Sequence, residues 1–171
     1  MKDLINSSIQ SHSEALNLLD EKKIHHASDL IKQSLSKNNT IFWCGNGGSA
    51  ADAQHLTGEL VGRFKDDRKP LKSISLNADS AVMTCIVNDY GYDHIFSRQI
   101  EALGVEGDIL IGISTSGNSM NIINAINEAK KMKMKTLSFL GGNGGEANKI
   151  TNHSIIVPSK NTARIQEIHI L

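Results

Sequence analysis

Apolar residues recur at helical spacing at the start of the chain: Ile5, Ile9, Leu16 and Leu19, then Ile24, Ala27, Ile31 and Leu35. That period places each set along one face of a helix. The segment Asp20-Glu21-Lys22-Lys23 between them is polar, so the pattern predicts a helical hairpin over 1–38 that turns there. Helices set before an α/β core serve packing or oligomerisation. From Thr40 the texture changes to short apolar runs alternating with longer helical patterns. Strands are predicted at 41–44, 71–76, 109–114, 136–140 and 154–157, and helices at 49–61, 80–87, 94–103, 119–132 and from 162 onward. A strand, a glycine-rich turn, a helix and another strand make a parallel βαβ unit. Continuous apolar runs such as Ile109-Leu110-Ile111-Gly112-Ile113 suit strands covered on both faces. The prediction is one α/β domain over 1–171: the hairpin, then a doubly wound, mostly parallel five-stranded sheet over 39–171. Its ligand belongs beyond the C-terminal ends of the strands.

Composition narrows the function classes. The 171 residues are 39% apolar and 21% charged, which suits a packed globular chain. Formal net charge is zero, so nothing electrostatic points to nucleic acid or an anionic membrane as partner. A phosphorylated small molecule stays open, because one local site decides it. Cys44 and Cys85 both sit in apolar stretches and read as buried, reduced thiols. No stretch is long and apolar enough to span a bilayer, and residues 1–6 carry no signal-peptide core. The expected location is the cytoplasm.

Two loops carry candidate chemistry. Cys44-Gly45-Asn46-Gly47-Gly48-Ser49 follows a predicted strand and opens a predicted helix. Its glycines let the backbone approach a ligand, and Ser49 with Asp52 resembles a capping box. The free N–H groups of a helix start suit an anion or a polyol. Ser114-Thr115-Ser116-Gly117-Asn118-Ser119 holds four hydroxyls around one glycine, again between strand and helix. One oxygen caps the helix, and the others are free to donate to phosphate oxygens. A third stretch, Gly141-Gly142-Asn143-Gly144-Gly145, has no hydroxyl and reads as a flexible connection.

On the helix after the first loop, His55 and Glu59 stand at i and i+4 and face the same way. The pair fits an exposed polar pair, half of a zinc site, or a general base in Glu59 within three turns of the glycine loop. Arg63, one turn on, is a supporting residue or a solvated helix end. Asn88-Asp89 follows the run that ends at Val87 and reads equally as a sugar-hydroxyl contact or a turn.

Six strings of the chain resemble the phosphoheptose isomerases, members of the sugar isomerase (SIS) domain superfamily. They are Cys44-Gly-Asn-Gly-Gly-Ser49, His55-x-x-x-Glu59-Leu60, Asn88-Asp89-Tyr90-Gly91, Phe96-Ser97-Arg98-Gln99, Gly112-Ile-Ser-Thr-Ser-Gly-Asn-Ser119 and Ala163-Arg-Ile-Gln-Glu-Ile-His169. They run in the family's order from the first strand to the end of the chain. The resemblance implies an intramolecular oxidoreductase that converts D-sedoheptulose 7-phosphate to D-glycero-D-manno-heptose 7-phosphate. That product leads to nucleotide-activated heptose for surface polysaccharide, lipopolysaccharide or capsule. It implies a homotetramer with active sites between subunits. Asn46, Gly47, Gly48 and Ser49, with Asn88 and Asp89, would contact the sugar. Ser114, Thr115, Ser116 and Ser119 would hold the phosphate. Glu59 would be the base, and His55, Glu59 and Gln166 would belong to a zinc site, one per subunit.

The chain departs from that pattern in two places. The family's second catalytic residue is a histidine eight residues after the position of Gln166, three past Leu171. The last predicted helix also stops without a cap, so the natural protein is expected to continue. Some family members carry an acidic residue where this chain has Ala163. Two rival readings share the strings: a non-catalytic SIS relative that binds the bacterial replication initiator, and a sugar-phosphate sensor.

Overall fold

A computed structural model describes residues 2–171. Helices α1 (Lys2–Asn17) and α2 (Glu21–Ser36) form where expected but do not pack together as a hairpin: α1 lies against the last helix of the chain, and α2 lies on the sheet. The turn falls before 20–23 rather than across it. Asp20 is the N-cap of α2, its carboxylate accepting from the amides of Lys22 and Lys23, so the polar segment starts a helix instead of breaking one. The predicted stripe on α1 divides: Leu16 and Leu19 pack beside Val157, Ile165 and Ile168, whereas Ile5 and Ile9 are exposed.

The core is one parallel sheet of β1 (Ile41–Gly45), β2 (Ser73–Ser75), β3 (Ile109–Ser114), β4 (Lys135–Gly141) and β5 (His153–Val157), in the order β2-β1-β3-β4-β5. Between the strands run α3 (Gly48–Val61), α4 (Ser80–Tyr90), α5 (Ser97–Leu103), α6 (Met120–Lys131) and α7 (Gly145–Ile150), and α8 (Thr162–His169) follows β5. Alternation along the strands splits the core. Ile41, Trp43, Ile109, Ile111 and Leu137 pack against α2 and α3, while Phe42, Leu110 and Leu140 pack with α5, α6 and α7. The sheet is doubly wound, as the apolar runs predict. Buried Asp108 accepts from the amides of Thr40 at 2.7 Å and Val105 at 3.0 Å, tying the starts of β1 and β3 together.

Four further expectations are corrected. The edge strand at 71–76 shrinks to Ser73–Ser75, which pairs on one side only, with β1. The helix at 94–103 breaks into a 3-10 turn (Tyr92–His94) and α5, because Ile95 and Phe96 between them plug the core. Residues 141–145 are no flexible connection: they turn tightly into α7, an element the apolar pattern was too short to announce. Cys44 is fully buried and its thiol pKa is pushed up by burial, but Cys85 is exposed. The reason is that α4 buries Ile86 alone and leaves Val82 and Val87 in solvent. Among the described residues no helix is long and apolar enough to cross a membrane.

Candidate active site

Strand β1 neighbours β2 on one side and β3 on the other, so the chain reverses its direction of winding between β1 and β3. The C-terminal ends of two such strands leave a crevice that no crossover helix closes. Both loops singled out by sequence leave those ends.

In the first loop, Gly45 lies so near the start of α3 that a β-carbon would sit 2.4 Å from the Ser49 carbonyl oxygen. Only glycine permits that approach. The Asn77 side chain then clamps Gly45, accepting from its N–H at 3.1 Å and donating to its carbonyl at 2.9 Å. The capping box is not formed. The helix starts at Gly48 with Gly47 as N-cap and no side-chain cap, which places Ser49 inside the first turn, buried. Asp52 keeps a buried carboxylate oxygen with no partner in the chain, and burial raises its pKa against the pull of His55. Asn46 stands at the mouth of the crevice with Gly47 and Gly48 exposed beside it, while Ser49 lies beneath.

The second loop folds around Gly117, whose φ of +65° and 2.0 Å separation between a β-carbon and the Gly144 carbonyl oxygen exclude any side chain. Ser114 Oγ accepts from the Gly117 amide at 3.0 Å, and Ser116 Oγ from the Asn118 amide at 3.1 Å. Ser116 keeps its proton for a ligand, while Ser114 Oγ and Ser119 Oγ lie 3.4 Å apart, one donating to the other, so that pair has one proton left to offer. Ser119 is the N-cap residue of α6 by position, yet its side chain accepts no helix amide. The cap role expected of one hydroxyl is unfilled, and all four hydroxyls stay with the loop. Among the described residues the Met120 and Asn121 amides, first in α6, donate to no group in the chain. Hydroxyl donors around a free helix N-terminus make an anion site without lysine or arginine. The third glycine stretch buttresses it: Ala147 N–H donates to the Gly117 carbonyl and Glu146 N–H to Asn118 Oδ1.

Helix α3 carries Gly48, Asp52, His55 and Glu59 on one face, since these positions are separated by four, three and four residues. His55 Nε2 and Glu59 Oε1 are 3.1 Å apart, both partly open to solvent. Glu59 stands three turns from Gly48, about 16 Å along the axis, with side chains leaning back toward the loop. From α8, the Gln166 amide lies over Gly48 on that same face. His55 and Glu59 are donors of the zinc type, and Gln166 is a weaker third. The set fits zinc in kind and falls short in number, because among the described residues no three His, Cys, Asp or Glu side chains gather around one point.

Asn88 and Asp89 lie in the last turn of α4, exposed, with Asn88 Nδ2 donating to Asp89 Oδ1. The turn reading fails, because α4 runs on to Tyr90 and ends at Gly91, whose φ is +83°. Arg63 bends to the carbonyl of Lys65 at the end of α3. Sequence reasoning missed three residues of the crevice. They are Asn77, Tyr92 and the buried Asn121, each of which bonds to Gly45 or Asn46 through contacts 32 or more residues away in sequence. An amide inside a helix, as Asn121 is, carries no local signal of such a role.

The SIS domain family matches residues 6–141. The phosphoheptose isomerase of Helicobacter pylori is 49% identical over 176 residues, covering 99% of this chain and 90% of that protein. Phosphoheptose isomerase 1 of Campylobacter jejuni is 47% identical over 173 residues, covering 100% of this chain and 93% of that protein. The solved structure of a phosphoheptose isomerase from Francisella tularensis superposes with a TM-score of 0.92 at 40% identity, covering 99% of this chain and 90% of that one.

Proposed function

Because this chain belongs to the phosphoheptose isomerases of the SIS domain family, we propose that Glu59 is the base of its reaction, the isomerisation of sedoheptulose 7-phosphate. The reaction moves a proton from C1 of the ketose to C2 through an enediol, giving D-glycero-D-manno-heptose 7-phosphate. A carboxylate that takes the C1 proton and returns it to C2 suffices for the carbon steps, and an acid must exchange protons with O1 and O2. The neighbouring His55 holds the Glu59 carboxylate in place at 3.1 Å. The loop at 114–119 anchors the phosphate through Ser114, Thr115, Ser116, Ser119 and the amides of α6. Asn46, Gly47, Gly48 and Ser49 frame the sugar, with Gln166 over the start of α3. Asn88 and Asp89 complete the contacts from the end of α4.

The observation that carries this reading is the meeting of both loops at one switch point, with the His55–Glu59 pair on the helix that springs from the first loop. The non-catalytic and sensor readings have no such observation in their favour, and the chain's near relatives are named as isomerases.

We include a zinc ion, one per subunit, with His55, Glu59 and Gln166 as its ligands from this chain. Bound there, zinc would polarise the sugar carbonyl. We also include assembly into a homotetramer in the cytoplasm, feeding nucleotide-activated heptose synthesis for lipopolysaccharide or capsule. The exposure of Leu4, Ile5 and Ile9 along α1 favours assembly.

The test is Glu59→Gln in the natural full-length chain, assayed on sedoheptulose 7-phosphate. Turnover falls by a factor of about 100 to 10,000, and substrate binding is retained. Full activity would remove Glu59 as the base.

A further inference from the structure

Asn46 and Asn121 pair amide to amide across the mouth of the crevice. Asn46 Nδ2 donates to Asn121 Oδ1 at 3.0 Å, and Asn121 Nδ2 donates to Asn46 Oδ1 at 2.9 Å. Such a pair is degenerate, since rotating both amides together restores the same two bonds. The Ile122 amide breaks the tie: it can only donate, and it bonds Asn121 Oδ1 at 3.0 Å. Asn121 is buried, 1% exposed, so no water competes for that choice. The orientation of Asn46 follows from that of Asn121. Tyr92 completes the arrangement from the 3-10 turn, its hydroxyl donating to Asn46 Oδ1 at 2.7 Å.

An amide oxygen has two lone pairs and an amide nitrogen two protons. Both lone pairs of Asn46 Oδ1 are taken, by Asn121 and Tyr92, and one proton on Nδ2 is taken by Asn121. What remains is one N–H. We propose that Tyr92 is a positioning residue for the sugar: it makes Asn46 a pure donor toward the ligand, suited to a carbonyl or hydroxyl oxygen of the sugar chain. The Tyr92 hydroxyl, its own proton spent, is left to accept from a sugar hydroxyl. Without Tyr92, Asn46 Oδ1 has a free lone pair, water enters, and the side chain is held by Asn121 alone. This inference rests on the reading that Asn46 contacts the sugar.

The test compares Tyr92→Phe, Asn46→Ala and the double variant in the full-length enzyme. Tyr92 is half exposed, so losing its hydroxyl leaves the core untouched. In Tyr92→Phe, KM for sedoheptulose 7-phosphate rises about fivefold, the effect of one hydrogen bond, and kcat stays within about twofold. The Ki of inorganic phosphate, a probe of the serine loop, is unchanged. In the Asn46→Ala background, Tyr92→Phe adds nothing. If Asn46→Ala raises KM and Tyr92→Phe does not, the inference fails and the Asn46 reading stands. If Asn46→Ala leaves KM unchanged, the reading itself fails and takes the inference with it. Additive effects in the double variant, or a Tyr92→Phe defect confined to kcat and thermal stability, would make Tyr92 merely structural and overturn the proposal.

Discussion

The Gln166 amide occupies the space above Gly48: a β-carbon at position 48 would lie 2.6 Å from Gln166 Nε2. The contact joins the last helix to the first turn of α3, at the edge of the crevice. The obstructing atoms are the end of a flexible side chain, so they can move aside at little cost. Gly48 is helical and has no positive φ, so alanine suits its backbone.

Gly48→Ala therefore separates stability from activity. Replacing helical glycine by alanine stabilises by up to about 1 kcal/mol, so the melting temperature holds or rises. Displacing Gln166 by an ångström or more lowers kcat/KM by about a hundredfold. Thermal melts beside steady-state kinetics check both halves. A variant with unchanged kcat/KM would show that Gln166 has no part in the site.

The hydroxyls of Ser116 and Ser119 support the fold little, since Ser119 caps no amide and meets only Ser114 Oγ, at a long 3.4 Å, and Ser116 accepts one bond in an exposed loop. The double variant Ser116→Ala, Ser119→Ala raises KM for the phosphorylated sugar by about tenfold to a hundredfold, as expected for lost bonds to a charged group. Its melting temperature stays within about 2 °C. An unchanged KM would remove the phosphate from this loop.

His169 is buried, with Nε2 3.1 Å from the Leu140 carbonyl oxygen and Nδ1 without a partner in the chain. Burial pushes its pKa below the ordinary value of 6.5, against the smaller upward pull of the Leu140 bond. The neutral ring is the folded form, and it donates to Leu140. Its contribution to stability is full above the unfolded value of 6.5. It is lost as pH falls toward the depressed folded value, because the unfolded chain takes up the proton first. His169→Gln keeps a donor and removes the titration, so its melting temperature declines less steeply from about pH 7.5 to about pH 5. Equal slopes in the two proteins would assign the acid sensitivity to other groups.

Much of this protein is written locally. Short continuous apolar runs bounded by glycine- and hydroxyl-rich turns suit strands covered on both faces, which is why 109–114 coincides with β3 and the parallel sheet is legible from the chain alone. Glycine and hydroxyl clusters after such runs mark the strand ends, and the spacing of His55 and Glu59 makes them partners on one helix face. Local pattern misjudges positions whose surroundings come from elsewhere. Cys85 sits in an apolar run yet faces solvent, because burial depends on what covers a helix and not on its neighbours in sequence. Ser49 has the residue type of a cap and is buried inside the helix, because Gly45 lets β1 run directly onto the first turn. The strand order that sets β1 beside β3, the clamp of Asn77 on Gly45, and the amide pair of Asn46 and Asn121 are all contacts between distant segments. Sequence supplies the donors and acceptors for these bonds, but folding alone decides which of them face one another, since a hydrogen bond depends on distance and angle and neither is encoded within a single element.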